Sequence, residues 1–444
     1  MPVRWPAGEF WASPRSLDLL TGTPFNCLVL PWSAHNPEVQ FTPLIEAGRS
    51  RGLQFACCLE PEAAHEKTLA AAKSASLEVI PLAERAKIPW QSPPPVIATS
   101  EAEWPAVRAS SQPGAAAEAG PTGLPWIDSN GWFARLAATL APRTTLWLAF
   151  QPPKDQVLRP NSYLLAVADS AVYGARWIAS LDAKLADGLA AGNSQSLDAW
   201  RRIARAAAFF EKRREWREYR PPAILAVLSD FRGDNEFLAG EALNLLARRQ
   251  LPCAILEKSK VALGTLSQFK AILSVDREPP ETQLRAALLE FVRAGGLLLC
   301  QPSSGHLARG ASPLESHPRF HLHKLGKGRI AIAREEMSDP YVLAADAHLL
   351  LSRRHDLYRT WNSIAVGTYY TVSAGNSKAV FHILNYAGWP AAFLAVRIHR
   401  PYRQARLWKL DSDEPAAVKM ITDGNWTEFH LPAIFVYAAL ELET

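Results

Sequence analysis

Hydrophobic and polar residues alternate most regularly between residues 221 and 304. Short apolar runs, typical of buried strands, are separated by segments whose apolar residues lie three and four positions apart, typical of helices. The apolar runs cover residues 223–231, 253–256, 270–276 and 297–300, and the helical segments cover 238–249 and 281–293. Gly295 and Gly296 follow the second helix and form a common helix stop. The pattern predicts a small doubly wound, flavodoxin-like α/β domain with a parallel sheet covered on both faces.

The first 220 residues repeat the alternation of strand and helix less regularly. The predicted strands cover residues 25–32, 53–60, 77–82, 95–100, 125–128, 145–150 and 175–182, of which 125–128 is the weakest. A run of parallel strands this long favours a (β/α)8-type barrel over an open sheet. No eighth strand is visible, so we expect the barrel to be incomplete or irregular. Residues 103–125 have no periodicity, and we predict either a lid over the barrel or a tolerated surface insertion.

The pattern changes again after Ser304. Residues 325–333 have the pattern of a strand and residues 340–361 that of one long helix. Alternating short strands then follow, separated by turn signals such as 374–376 and 423–425, which predicts an antiparallel β-sandwich. We therefore predict three domains, 1–220, 221–304 and 305–444.

The middle segment also carries a resemblance to a known family. Its strand FKAILSVD and the run LLEFVRAGGLLLCQPSSG resemble the glutamine-amidotransferase-like domain of family 42 β-galactosidases, and VFHILNY resembles the C-terminal sandwiches of glycoside hydrolases. The resemblance implies a (β/α) barrel before this domain and a β-sandwich after it. A working amidotransferase needs a cysteine on a strand–turn–helix elbow. Cys300 ends a strand but no helical pattern follows it, so we predict a structural role for this domain.

Carboxylates are the main polar residues at the predicted strand ends. Glycoside hydrolysis uses two of them, one protonated and one ionised. The resemblance implies that they follow strands four and seven, where this chain has Glu101 and Asp182. We predict Glu101 as the general acid and Asp182 as the nucleophile or base. Glu60 and Asp128 are the next candidates for these two catalytic roles.

Each of these carboxylates also has a structural alternative. Asp182 and Asp128 precede helical patterns and have the residue type of an N-cap. Glu60 precedes a helix start, where the helix dipole favours a negative charge. Glu101 begins an irregular segment, where a solvated carboxylate is equally expected.

Tryptophan supplies the second signal for carbohydrate. Of the 15 tryptophans, 11 lie in the first 216 residues and none between residues 217 and 360. Aromatic faces stack on the apolar faces of sugar rings, whereas Asn and His bind hydroxyl groups. The predicted substrate-binding residues are Trp32, His35, Trp104, Trp126, Asn130 and Trp132. Tryptophan as filler of large barrel loops is the alternative.

The composition limits the classes of binding partner that we expect. The chain of 444 residues is 48% hydrophobic and 20% charged, as expected for a globular protein. The net charge of +5 is concentrated in residues 201–220, where Trp200, Ile203, Ala207 and Phe210 have the spacing of an inward helix face. We therefore predict a solvated helix and no nucleic-acid partner. The composition does not decide between a monomer and a homo-oligomer.

The five cysteines lack the spacing of a metal site, so no metal and no cofactor is predicted. No apolar run has the length of a membrane span, and the N-terminus lacks the apolar core of a signal peptide. We expect a soluble protein without a membrane partner, cytoplasmic as written, or secreted or periplasmic if a leader was removed.

These observations predict a hydrolase that acts on an oligosaccharide or polysaccharide. The alternative is a non-catalytic carbohydrate-binding or scaffold protein with the same architecture. An amidohydrolase or transferase using the middle domain is a third hypothesis, and the missing elbow disfavours it.

Overall fold

A computed structural model describes residues 1–32, 41–60, 66–108, 125–153, 156–261, 263–315 and 317–444. Strands and helices alternate in the described part of residues 1–220. The strands are β1 (Pro2–Arg4), β2 (Cys27–Val29), β3 (Gln54–Leu59), β4 (Glu78–Pro81), β5 (Val96–Thr99), β6 (Ala106–Val107), β7 (Ile127–Asp128), β8 (Thr145–Leu148) and β9 (Arg176–Trp177). The helices are α1 (Glu9–Ala12), α2 (Thr42–Ser50), α3 (Glu66–Ser74), α4 (Gly131–Leu140), α5 (Pro160–Val172), α6 (Ala183–Ala190) and α7 (Ser194–Lys212).

The strands of this part form two parallel sheets, β1-β2-β3-β4 and β5-β8-β9. A parallel bridge between Leu82 and Ala98 links them on one side, and a bridge between Val3 and Ala179 links them on the other. The prediction of parallel sheets with intervening helices is confirmed here.

One strand prediction in this part was wrong, and one strand was missed. Residues 127–128 do not join a parallel sheet, because β7 pairs antiparallel with β6. Strand β1 was missed, because three residues are too few to show a periodicity. The basic helix α7 behaves as predicted, since Trp200, Ile203, Ala207 and Phe210 are all buried.

The middle of the chain forms a seven-stranded sheet. Its strands are β10 (Leu225–Ser229), β11 (Cys253–Glu257), β12 (Ala271–Ser274), β13 (Leu297–Cys300), β14 (Ser312–Pro313), β15 (Phe320–Leu325) and β16 (Gly328–Ala333), and its helices are α8 (Asp234–Arg248), α9 (Thr282–Ala294) and α10 (Pro340–Leu351). The order is β11-β10-β12-β13-β16-β15-β14, in which all neighbours up to β16 pair in parallel.

Alternate side chains of this sheet pack on opposite faces. Leu225 and Val227 share a core with α8, whereas Ala226 and Leu228 share one with α9. The predicted covering of both faces is therefore present. Gly295 ends α9 with a φ of 126°, and a Cβ at Gly296 would lie 2.2 Å from the Phe291 ring, so both glycines are required at this helix stop.

The sheet continues beyond Ser304. Residues 328–333 pair in parallel with β13, whereas the sequence pattern grouped residues 325–333 with the sandwich. The predicted helix 340–361 was too long, because α10 ends at Leu351 and Ser352 takes a left-handed φ of 77°.

The C-terminal part consists of two antiparallel four-stranded sheets, β17-β20-β23-β22 and β18-β19-β24-β21, as predicted. Their strands are β17 (Tyr358–Trp361), β18 (Val366–Val372), β19 (Lys378–Asn385), β20 (Ala395–Ile398), β21 (Gln404–Lys409), β22 (Lys419–Asp423), β23 (Trp426–His430) and β24 (Tyr437–Glu443). Apolar residues of both sheets, such as Phe381 and Phe429, form one core between them.

A buried carboxylate joins the first and last parts of the chain. Asp169 of α5 is fully buried and accepts four hydrogen bonds. The donors are Ser129 Oγ (2.7 Å), Asn130 N (3.0 Å), Asn130 Nδ2 (3.0 Å) and Tyr386 Oη (2.7 Å). Burial raises the pKa of Asp169, and the four hydrogen bonds oppose that effect.

We predict that Asp169→Ala lowers the free energy of unfolding by about 3 kcal/mol or more, because each buried donor left without a partner costs about 1–3 kcal/mol. Tyr386→Phe removes one donor only and should cost about 1 kcal/mol. Urea unfolding of the full chain measures both. Asp413→Ala, at a side chain that is 66% exposed, serves as the control. A loss no larger for Asp169→Ala than for this control would contradict the prediction.

Candidate functional site

The segment that follows β5 carries two glutamates, Glu101 and Glu103. Glu101 is exposed, and its Oε2 accepts a hydrogen bond of 2.5 Å from the backbone N of Arg85. The Arg85 Nε lies 3.6 Å from the same oxygen and 3.4 Å from Oε1 of Glu236 in α8. Arg85 therefore ties the end of β4 and the end of β5 to the middle part of the chain.

Glu103 is held by its backbone. Asn130 Oδ1 accepts from Glu103 N at 2.9 Å, and Asn130 Nδ2 donates to Glu103 O at 2.9 Å. The Glu103 carboxyl is hydrogen-bonded to that of Asp128. Burial, and then the neighbouring charge of Asp128, raise the pKa of Glu103. Both effects favour the protonated form of Glu103.

Asp128 is paired with an arginine. Arg108 Nε donates to Asp128 Oδ1 at 2.9 Å, across the β6–β7 pair. Of the two hydrogen-bonded carboxyl groups, Asp128 is therefore the one that accepts directly from the guanidinium of Arg108.

Helix α8 brings two further glutamates to this place. Burial raises the pKa of both Glu236 and Glu241, and the charge of Arg108 opposes the effect at Glu241. We call the five side chains Glu101, Glu103, Asp128, Glu236 and Glu241 the carboxyl cluster. It lies between the segment after β5 and helix α8, with the two guanidinium groups of Arg85 and Arg108 among the carboxyls.

Asp182 has a different environment. It is buried and forms the N-cap of α6, where its Oδ1 accepts from Leu185 N at 2.9 Å. Its Oδ2 accepts from the hydroxyl of Tyr163. Both oxygens are thus engaged in the structural role that was the alternative for this residue.

The remaining predicted residues at the strand ends are Glu60, Trp32 and His35. Glu60 is exposed directly after β3, and Trp32 is half-buried after β2. His35 lies outside the described residues.

The predicted tryptophans are half-buried and already in contact with other side chains. Trp104 packs edge-on against Phe150, Tyr163 and Trp177, with ring centroids 5.5–5.7 Å apart. The Arg108 guanidinium lies 5.1 Å from the Trp126 ring, and that of Arg85 lies 5.2 Å from the Trp132 ring. These contacts take up ring surface that a stacked sugar would need.

Trp132 also approaches helix α8. A Cβ at Gly240 would lie 3.2 Å from its ring atoms, so this glycine allows the close approach.

Asn130 is buried, with its side chain bonded to Glu103 and Asp169. It holds the backbone that carries Glu103. Glu103 itself is absent from the residues predicted from the sequence. The sequence could have suggested Glu103 only through its place two residues after Glu101. Its hydrogen bond to Asp128 could not be predicted, because the two residues are far apart along the chain.

The surroundings of Cys300 do not activate its thiol as a nucleophile. Its side chain is buried, and burial raises the pKa of the thiol to about 12. This environment argues against the amidohydrolase hypothesis.

Comparison with solved structures confirms the resemblance at the level of fold. α-L-fucosidase isoenzyme 2 from Paenibacillus thiaminolyticus matches with a TM-score of 0.58 and 11% identity, over 100% of this chain and 99% of that chain. Gan42B, a GH42 β-galactosidase from G. stearothermophilus, matches with a TM-score of 0.52 and 13% identity, over 91% of this chain and 68% of that chain. The chain therefore has a multidomain fold found in glycoside hydrolases.

No protein-family model matches the sequence, and no curated protein matches it. In the part of the chain that the structure describes, no helix combines the length and the apolar character needed to cross a membrane.

We predict that Asp182→Ala lowers the free energy of unfolding by about 2 kcal/mol, because the N-cap bond and the partner of Tyr163 are both lost. Asp187 lies exposed on the same helix, so Asp187→Ala should change it by less than about 0.5 kcal/mol. Thermal and urea unfolding compare the two variants. Equal stability of both would show that the cap contributes nothing.

We also predict that iodoacetamide leaves Cys300 unmodified in the native protein near neutral pH, because the thiol is buried and protonated. Peptide mass spectrometry measures the modification, and the protein unfolded in urea is the positive control. Rapid native labelling of Cys300 would restore the middle part as a candidate catalytic unit.

Proposed function

We propose that this protein is a glycoside hydrolase that acts on an oligosaccharide or polysaccharide through two carboxyl groups of the carboxyl cluster. The observation that carries the proposal is the state of Glu103, a carboxyl that is hydrogen-bonded to Asp128 and has a raised pKa, in the segment that follows the parallel strand β5. A general acid in glycoside hydrolysis needs these properties. The two matched structures are a fucosidase and a β-galactosidase, which favours a hexoside as the substrate.

Glu103 is the proposed proton donor, in place of Glu101. A sugar cannot lie between Glu103 and Asp128, because these two carboxyl groups are hydrogen-bonded to each other. Asp128 therefore acts as a positioning residue that helps to keep the proton on Glu103. Glu101, exposed and close in sequence, is the proposed nucleophile or base, with Glu60 in reserve. Asp182 is assigned to its capping role.

We further infer that the two parallel sheets of the first part form one irregular barrel. The two bridges between the sheets support this inference. A second support is an apolar cluster to which both sheets contribute, with Val29, Ala56 and Ile80 from one and Ala98 and Trp147 from the other. In such a barrel, residues after the strands lie at the mouth, where chemistry collects.

The division into three domains is retained as a proposal. The boundary near Arg220 agrees with the start of the middle sheet at Leu225. The pairing of β16 with β13 favours moving the boundary at Ser304 to the region after α10.

A non-catalytic carbohydrate-binding protein is the second candidate function. The observation that favours it is the engagement of Asp182, which removes one of the two carboxylates implied by the family resemblance.

We predict that Glu103→Gln lowers kcat on aryl glycosides by about 10²–10⁴-fold, the usual contribution of a general acid, without lowering the melting temperature. Release of nitrophenol from α-L-fucosides and β-D-galactosides measures the activity. Activity of the unaltered protein should fall as the pH rises through the raised pKa of Glu103, because the donor must be protonated. Glu84→Gln is the control, since Glu84 follows another strand and is exposed.

Two outcomes decide between the candidates. Equal activity of the Glu103→Gln variant and the unaltered protein would remove Glu103 from the mechanism. If the unaltered protein binds oligosaccharides but cleaves none of the glycosides, the second candidate function replaces the first.

A further inference from the structure

The middle sheet contains a point where its strand order reverses. From β10 the chain passes through α8 to β11 on one side, and then crosses to β12 on the other side of β10. Helices α8 and α9 lie on opposite faces. Open α/β sheets bind ligands in the crevice at the carboxyl ends of the strands at such a point. A cavity of about 620 Å³ lies there, and we call it the switch-point cavity.

Three of the charged residues that line this cavity follow three neighbouring strands. Lys258 follows β11, and its Nζ lies 2.8 Å from Asp230 Oδ2, after β10, and 2.8 Å from Asp276 Oδ2, after β12. The side chain of Asp276 is 5% exposed, whereas those of Asp230 and Lys258 are 25% and 33% exposed. Asp230 and Lys258 can therefore be reached from the cavity while their partner holds them in place.

Part of the lining comes from the first part of the chain. Trp90 and Gln91, from the segment between β4 and β5, line the cavity together with Pro279 and Pro280. Gln91 is exposed, and Trp90 is half-buried with its ring 6.1 Å from that of Phe133. The lining thus combines an aromatic ring and apolar groups with fixed charges.

The lining carries charged groups of both signs, namely Arg232, Lys258 and Lys260 beside Asp230, Glu257, Asp276, Glu278 and Glu281. Phosphates bind at helix N-termini, but the first turn of α8 carries Asp234 and Glu236, which repel an anion. The carboxyl groups of Asp230, Asp276 and Glu278 come close enough to hold a cation. The ammonium group of Lys258, however, already lies between the two aspartates.

A hydroxyl group fits this lining. It donates to a carboxylate and accepts from an ammonium group, so neighbouring hydroxyls can bind Asp230 and Lys258 together. A ring with apolar C–H groups can at the same time lie against Trp90. The size is also suitable, because small-molecule sites commonly measure about 300–1,000 Å³.

We propose that the switch-point cavity binds a neutral polyhydroxylated ligand, a free monosaccharide or disaccharide, with hydroxyls on Asp230 and Lys258 and a ring face on Trp90. The cavity shares no lining residue with the carboxyl cluster. The proposal goes beyond the proposed function and does not depend on hydrolysis.

Titration of the full chain with D-galactose, L-fucose and sucrose tests the proposal, with isothermal calorimetry as the readout. Trp90→Ala should weaken binding about 2- to 10-fold, the equivalent of one aromatic contact. Gln91→Ala, at an exposed position that is safe for folding, and Asp230→Asn should also weaken it. Trp389→Ala is the matched control, because that ring is 62% exposed and lies in the sandwich. Melting temperatures establish that the variants are folded.

The proposal is overturned if Trp90→Ala, Gln91→Ala and Asp230→Asn, all folded, bind the sugars as tightly as the unaltered protein does. It is also overturned if none of the sugars binds. Binding of inorganic phosphate or Mg²⁺ in their place, weakened by Asp230→Asn, would identify an ion site instead. Loss of sugar binding in the cavity variants, with unchanged binding in Trp389→Ala, supports the proposal.

Discussion

The buried carboxylate of Asp169 is the interaction on which the rest of the structure depends. A fully buried carboxylate is tolerated only when hydrogen bonds replace the water it loses, and here four donors do so. One donor, Tyr386, belongs to the sandwich, and the others belong to Ser129 and Asn130 before α4. Because the same Asn130 side chain holds the Glu103 backbone, the position of the proposed proton donor depends on the docking of the last part of the chain.

Helix α8 makes the second connection between the parts of the chain. Its glutamates contribute to the carboxyl cluster, and Arg248 donates to Val366 O of the sandwich at 3.2 Å. Gln250, just after the helix, accepts from Thr360 N at 2.8 Å and donates to Thr360 Oγ1 at 2.7 Å. The middle part therefore contacts the sandwich and also supplies two glutamates to the carboxyl cluster.

The carboxyl cluster works against stability, because carboxyl groups are brought together and partly removed from water. The raised pKa values of Glu103, Glu236 and Glu241 all have burial as their main cause. Such pKa values are more common at functional sites than elsewhere in proteins, because catalysis requires carboxyl groups that keep a proton. At the switch-point cavity an ammonium group instead lies among the carboxylates, because Lys258 Nζ is 2.8 Å from both Asp230 Oδ2 and Asp276 Oδ2. The two places therefore suit different chemistry: proton transfer at the first and binding of hydroxyl groups at the second.

The sequence by itself determined the elements that depend on local periodicity. The apolar runs at 223–231, 253–256, 270–276 and 297–300 each contain a strand of the middle sheet, and the antiparallel sandwich was recognisable from alternation and turns. The helix stop at Gly295 and Gly296 was also predictable, because it depends on backbone conformation and on one nearby ring. These features are local, since the side chains that bury a strand face or end a helix follow one another along the chain.

Only the tertiary structure decided which strands pair and which carboxyl groups meet. The three residues of β1, the pairing of β6 with β7 and the addition of β16 to the middle sheet have no periodic signal of their own. Glu103 and Asp128 meet because a short antiparallel pair brings their segments together, and Asp182 is a cap because Tyr163 and Leu185 surround it. The pKa of a carboxyl group depends on burial and on neighbouring charges in space. The sequence therefore identified carboxylates as the residue type to examine, and the fold determined which of them is placed to hold a proton.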